Sequence, residues 1–270
     1  MKTLREEAFG KAIVRLVQAP AGYAGIVIRD GVASKPLHGE DATALWLELI
    51  EDLDRSSVSY FGFDGARARF SRLFPEGFKG APYRSHERDY KQRASEQLRA
   101  NVPLEVAAEA TSAECDLIAK VYSRTNLLAA VEQARTREVL KSEHGPGFVR
   151  GAAAVAMGDV GAGLAAMQSA MKPFGQPSWP AATYLPYLWR PESEMFLKPR
   201  VTVDFAERVG HSFARDYAST FTEPVYRSLL SLVADTRREI ESLSPADNID
   251  VQSFIWIIGA YDENGVVEVV

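Results

Sequence analysis

A change of hydrophobic period near residue 56 constrains this chain more than any other feature. Residues 11–18 and 23–29 alternate apolar and polar or run in β-branched residues, with Pro20 and Gly22 near the break between them. Asp30 and Gly31 mark a turn into a short third strand at 32–35. Asp41 stands where an N-cap is needed for a helix over 42–53. There Leu45, Leu49 and Leu53 recur every four residues, and Trp46 and Ile50 widen the stripe. From Ser56 onward the period is helical. The pattern predicts an α+β fold, mainly α: a small N-terminal β-β-β-α unit over 1–57 and a multi-helix domain over 58–265. Residues 266–270 have strand character and are expected to join the N-terminal sheet.

Within the second part the spacing predicts helices over 63–74, 85–100, 104–110, 112–122, 126–141, 148–157 and 161–171. A helix over 199–209 is stopped by Gly210. Thr222 caps a long helix to about 243, with Pro224 in its first turn. Asp247 or Asp250 caps the last helix, which runs to Ile258 and meets Gly259. Between them, residues 179–200 set Trp179, Tyr184, Tyr187, Trp189 and Phe196 among Pro180, Pro186, Pro191 and Pro199, and carry Arg190, Lys198 and Arg200. This stretch reads as an irregular connector, its path fixed by prolines and its aromatics partly core.

Composition bounds the function classes. The chain has 270 residues, a formal net charge of −5 and 25% charged residues, which argues against sequence-blind nucleic-acid binding by the whole surface. A lone cysteine, Cys115, allows no intrachain disulfide and points to a reducing compartment. The charged N-terminus lacks a signal-peptide core, and the longest apolar run, around 254–259, is too short to span a bilayer. A cytoplasmic protein without a membrane association is expected. His38, His86, His144 and His211 are not paired at metal-ligand spacing, and no metal and no cofactor is expected.

The stretch 56–100 is the one clearly basic region, with nine basic residues against five acidic. Its aromatics (Tyr60, Phe61, Phe63, Phe70, Phe74, Phe78, Tyr83, Tyr90) could stack on unpaired bases while its cations contact phosphates. The phenylalanines also fall at helical spacing, which makes them core candidates. Asp89-Tyr90-Lys91 matches the D-x-K fragment of metal-dependent nucleases, but in a helical context. There Glu87 and Lys91 form an i,i+4 pair worth about 0.2–0.5 kcal/mol on a solvated helix face. The glycine-rich run 158–163 follows no strand and fits neither phosphate-loop pattern, so it reads as a helix-to-helix turn. Cys115 reads as a buried small hydrophobe. No G-x-S-x-G and no H-E-x-x-H occurs, and catalytic residues stay unassigned. Asp250 reads as an N-cap. Gln252 is a polar residue in an otherwise apolar helix and, if buried, needs a partner.

Four blocks together, Glu87-Arg88-Asp89-Tyr90-Lys91, Ser123-Arg124-Thr125-Asn126-Leu127-Leu128, Met195-Phe196-Leu197-Lys198-Pro199 with Val201-Thr202, and Ile249-Asp250-Val251-Gln252-Ser253-Phe254-Ile255-Trp256, resemble a family of bacterial hypothetical proteins over about Phe61 to Gly259. That resemblance implies no activity. The order of elements from Ala181 to Gly259, with Asp250, Trp256 and Gly259 in the last helix, is similar to the C-terminal half of helix-hairpin-helix DNA glycosylase-like proteins. The L-P-G-hydrophobic-G hairpin is missing, and Lys198-Pro199-Arg200 stands where the catalytic aspartate is expected. This second resemblance therefore implies binding rather than base excision.

The sequence thus predicts a nucleic-acid-associated binding module, with DNA or RNA as partner and no evident catalytic signature. Its candidate contacts are Arg88, Lys91, Tyr184, Trp189, Arg190, Lys198, Arg200, Asp250 and Gln252. The alternatives are an enzyme with an aromatic and basic pocket for a small anionic or flat ligand, and a subunit that binds a protein partner. Convergence of 87–91, 198–200 and 250–256 on one pocket would make them one functional site.

Overall fold

The computed structural model describes residues 2–9, 12–29, 31–46, 48–49, 62–122 and 125–260. It is α+β and mainly helical, with a small antiparallel sheet at the N-terminus followed by many helices. The expected boundary at 57/58 and the expected strand at 266–270 lie outside the described residues.

The sheet has five strands: β1 (Lys2–Phe9), β2 (Ala12–Ala19), β3 (Gly22–Arg29), β4 (Val32–Ala33) and β5 (Leu37–Gly39). β1 pairs with β2, β2 with β3, and β4 and β5 both pair with β3 at opposite ends, all antiparallel. Strand alternation puts Ala12, Val14 and Leu16 on one face, where they pack with Val27 against Leu45, Trp46 and Leu49 of the helical residues 42–46 and 48–49. Asp41 Oδ1 accepts the Ala44 N–H at 2.7 Å, as an N-cap should. Gly25 faces Leu49 so closely that a Cβ there would collide with the leucine methyls. β1 was not expected, because its sequence KTLREEAF is charged and its described side chains are almost all exposed. An edge strand needs no buried row of its own to pair.

The helical part has a separate and larger core. Its principal helices are α1 (Gly62–Leu73), α2 (Asp89–Asn101), α3 (Ser112–Tyr122), α4 (Ala130–Lys141), α5 (Gly145–Ala156), α6 (Val160–Met171), α7 (Trp179–Trp189), α8 (Pro199–Arg208), α9 (Glu223–Glu239) and α10 (Asn248–Ala260). The 158–163 run is a helix-to-helix turn between α5 and α6, with Gly158 at φ 99°. The two helices cross at Gly151 and Gly163, where a Cβ on Gly163 would lie 2.5 Å from the Gly151 carbonyl oxygen. None of the described helices is long and apolar enough to cross a membrane.

One expectation fails here. Residues 179–189 are a helix, not an irregular connector, and every side chain of α7 is buried. Pro180 sits in the first turn, where its missing N–H costs nothing. Pro186 lies inside the helix and removes one bond, the one its N–H would have made to the Ala182 carbonyl. The irregular part is confined to 190–198. It is pinned in place: the Asn248 N–H donates to the Pro191 carbonyl at 2.8 Å, Asn248 Nδ2 to the Glu194 carbonyl at 3.0 Å, and the Leu197 N–H to Thr183 Oγ1 at 2.9 Å.

Candidate functional site

Segments distant in sequence meet at a cleft of about 160 Å³ lined by His86, Glu87, Tyr90, Lys91, Asn126, Leu127, Lys198, Gln252 and Trp256. A π-helical turn, Arg84–Arg88, runs into α2 and carries His86 and Glu87. Such wide turns are common at functional sites. Tyr90 and Lys91 follow in the first turn of α2. Asn126 and Leu127 come from the link between α3 and α4, and Lys198 is the N-cap residue of α8. Gln252 and Trp256 are four residues apart on α10 and so share a face.

The floor of the cleft is ionic. Lys91 is 1% exposed, and its Nζ donates to Glu87 Oε2 at 2.8 Å and to Ser253 Oγ at 2.8 Å. Burial lowers the Lys91 pKa, and the Glu87 carboxylate opposes that shift. The expected solvated i,i+4 pair is therefore a buried one, and the energy scale changes with it: removing one partner of a buried pair costs about 3–5 kcal/mol. Behind the floor, Arg88 bridges α2 to α10 through Asp247 Oδ2 at 2.8 Å and Asp250 Oδ1 at 2.7 Å. Burial pulls the Arg88 pKa down, but the bonds to Asp247 and Asp250 outweigh it and hold the guanidinium charged. The Tyr83 hydroxyl donates to Asp250 Oδ1 at 2.6 Å, and burial followed by the Asp250 charge keeps that phenol protonated.

The rim is different. Lys198 Nζ lies 4.2 Å from the centroid of the Trp256 ring, a cation–π contact. It makes no salt bridge within 4.0 Å among the described residues. Burial lowers its pKa, Glu132 and Glu87 raise it, and the neighbouring Lys91 charge lowers it further. Gln252 is 4% exposed, yet its Oε1 has no hydrogen-bond partner and its carboxamide bonds to none of the described residues. An unpaired buried amide costs about 1–3 kcal/mol, so the position invites an external partner.

The nine candidate contacts separate clearly. Lys91, Lys198 and Gln252 line the cleft. Arg88 and Asp250 form the ion network behind it. Asp250 is not the N-cap of α10: Asp247 caps the helix by accepting the Ile249 N–H at 2.9 Å, while Asp250 accepts the Ala246 N–H at 2.7 Å. Tyr184 and Trp189 are enclosed in the core, with Tyr184 stacked on Tyr122 and the Trp189 indole N–H on the Val102 carbonyl at 2.9 Å. A helix that is apolar all round turns its aromatics inward, so neither ring can meet a ligand. Arg190 and Arg200 are exposed and do not line the cleft. Glu87, Tyr90 and Trp256 lie in the blocks whose convergence was expected but were not named as contacts, and His86, Asn126 and Leu127 lie outside those blocks. The i,i+4 spacing of Gln252 and Trp256 was the available signal for Trp256.

The basic stretch 56–100 also resolves. Phe70, Phe74, Phe78 and Tyr83 form a buried ring cluster with Phe254, as their helical spacing allowed. Tyr60 and Phe61 lie outside the described residues, as do Ser123 and Arg124. Asp89 pairs with Arg84 at 3.3 Å on the surface, and no group of three His, Cys, Asp or Glu among the described residues is placed to hold a metal ion. Ser253 has an amine at hydrogen-bond distance but is fully buried within α10, so the Lys91–Ser253 pair cannot present a nucleophile. Cys115 is buried, and burial pushes its thiol up to about 11.

No family model, curated protein or solved structure matches the chain. The two resemblances drawn from its sequence gain no support from these comparisons.

Proposed function

We propose that the cleft between α2, α8 and α10 binds a small anionic ligand with a flat apolar part. The observation that carries this reading is Lys198: a half-buried ammonium on the face of Trp256 with no carboxylate in salt-bridge distance among the described residues. A charge held at a concave, partly dry position gains most from a ligand of opposite sign. The aromatic walls, Tyr90 and Trp256, suit a planar body.

Nucleic-acid binding is less well supported. It drew on rings that now belong to the core and on Arg88 and Lys91, whose charges are spent on Asp247, Asp250 and Glu87. A protein-binding surface built from residues 179–189 is likewise less well supported, since those side chains are buried. The test is isothermal titration of the full chain with benzoate, acetate and inorganic phosphate, against Lys198→Met. Binding of at least one of these anions, lost in Lys198→Met while the far-UV circular dichroism is retained, is the expected result. Equal binding by the variant, or none by the parent chain, refutes the reading.

A further inference from the structure

Resting on the proposed anion-binding reading, we propose that the ligand is a single-ring carboxylate that carries its own hydroxyl or N–H donor, the class of the hydroxybenzoates and of heterocyclic lactam acids. Three properties of the cleft narrow the class, and each acts on a different part of the ligand.

The first is size. A cleft of about 160 Å³ is close to the roughly 150 Å³ of a cavity that encloses one benzene ring. It lies below the roughly 300 Å³ at which pockets for drug-sized molecules begin. One six-membered ring fits, with a substituent reaching the mouth. A nucleotide would leave most of its surface outside.

The second is charge. Of the charged groups that line the cleft, Lys91 and Glu87 cancel each other in a buried pair, which leaves the single positive charge of Lys198. Glu132, the first of the charges that raise the Lys198 pKa, does not line the cleft and is not in salt-bridge distance of Lys198. A monoanion balances one ammonium. A phosphate dianion would bring a second negative charge toward Glu87, and an uncompensated charge in a partly dry site is costly.

The third is the hydrogen-bonding edge. Gln252 lines the cleft on the same face of α10 as Trp256, and its buried carboxamide oxygen is an acceptor that nothing among the described residues satisfies. A carboxylate or a bare hydrocarbon ring cannot donate to it, whereas a ring hydroxyl or a lactam N–H can. Placing the carboxylate at Lys198 leaves the ring beside Trp256 and its donor for the amide. This assignment satisfies both polar groups with one ring-sized molecule.

The experiment uses the full chain and a matched set of probes: 3- and 4-hydroxybenzoate, benzoate, phenol, inorganic phosphate and AMP, each titrated calorimetrically. At least one hydroxybenzoate isomer is expected to bind about tenfold more tightly than benzoate, the worth of one good hydrogen bond in a sheltered site, and phenol only weakly. In Gln252→Met that ratio falls to about one. The variant melts no lower than the parent, because an unsatisfied amide has been removed. Equal affinity for benzoate and both hydroxybenzoates, or a ratio unchanged in Gln252→Met, overturns the class while leaving the anion site standing. Tighter binding of phosphate or AMP, lost in Lys198→Met, does the same. Failure of every anion to bind overturns the cleft reading and this inference together.

Discussion

Breaking the Lys91–Glu87 pair one residue at a time is the sharpest physical test of this structure. Both side chains are almost fully buried, 1% and 3% exposed, with Nζ 2.8 Å from Oε2. Lys91→Met leaves a carboxylate in a dry site, and Glu87→Gln leaves an ammonium whose one other hydrogen-bond partner among the described residues is Ser253. Each single change is expected to cost about 3–5 kcal/mol, against about 0–1 kcal/mol for an exposed pair. With about 2–4 °C per kcal/mol for a chain of this size, either variant melts roughly 6–20 °C lower. The double variant Lys91→Met, Glu87→Met removes both charges and both desolvation costs, so it loses less than either single variant. The sign of the pH dependence follows. In Glu87→Gln the folded Lys91 pKa drops further below its unfolded value, so the unfolded chain binds more protons. The penalty is complete below the folded pKa and disappears as pH rises through the unfolded one. Urea titrations of the four proteins at neutral and alkaline pH measure all of this. Single losses under about 1 kcal/mol, or losses that simply add in the double variant, would refute the buried-pair account.

Two further outcomes are expected. Gly163→Ala puts a Cβ 2.5 Å from the Gly151 carbonyl and 2.8 Å from the Val155 nitrogen. Neither backbone atom can rotate away, so α5 and α6 must separate at a cost of about 1–3 kcal/mol; an unchanged melting temperature would contradict the close crossing. Glu194 hydrogen-bonds Tyr226 at 2.8 Å, and burial raises its carboxyl above the usual range. Its contribution is complete below the unfolded pKa and lost as pH rises through the folded one. Glu194→Gln should therefore stabilise the chain at neutral pH and flatten the fall in stability on the way there, as unfolding curves across mildly acidic pH would reveal.

Local signals with a chemical mechanism were legible in the sequence, and burial was not. Asp41 caps a helix because a carboxylate there accepts a backbone N–H whatever surrounds it. Gly158 and Gly210 end helices because positive φ suits only glycine well. The alternation in β2 and the phenylalanine spacing in α1 pointed at core faces, and those faces are the core. The misreadings have one cause. Helix α7 has no polar face, so it has no period to detect, and its prolines mimic a loop. Glu87 and Lys91 have the spacing of a surface pair. What encloses them is α10, about 160 residues away in sequence, which supplies Ser253 to the lysine. The cleft itself was legible only as separate blocks. Their meeting depends on how α2, α8 and α10 pack, which no local pattern states.

Helix α7 has a consequence for how this chain can change. All the side chains of α7 are enclosed, so every substitution there alters a packed volume, and compensation has to come from the elements packed around it, among them α2, α3, α5 and α9. Relatives of this chain should therefore vary along α2 and α9, which have open faces, while α7 changes only in concert with its neighbours. Its rings would mark kinship long after the surface had been rewritten.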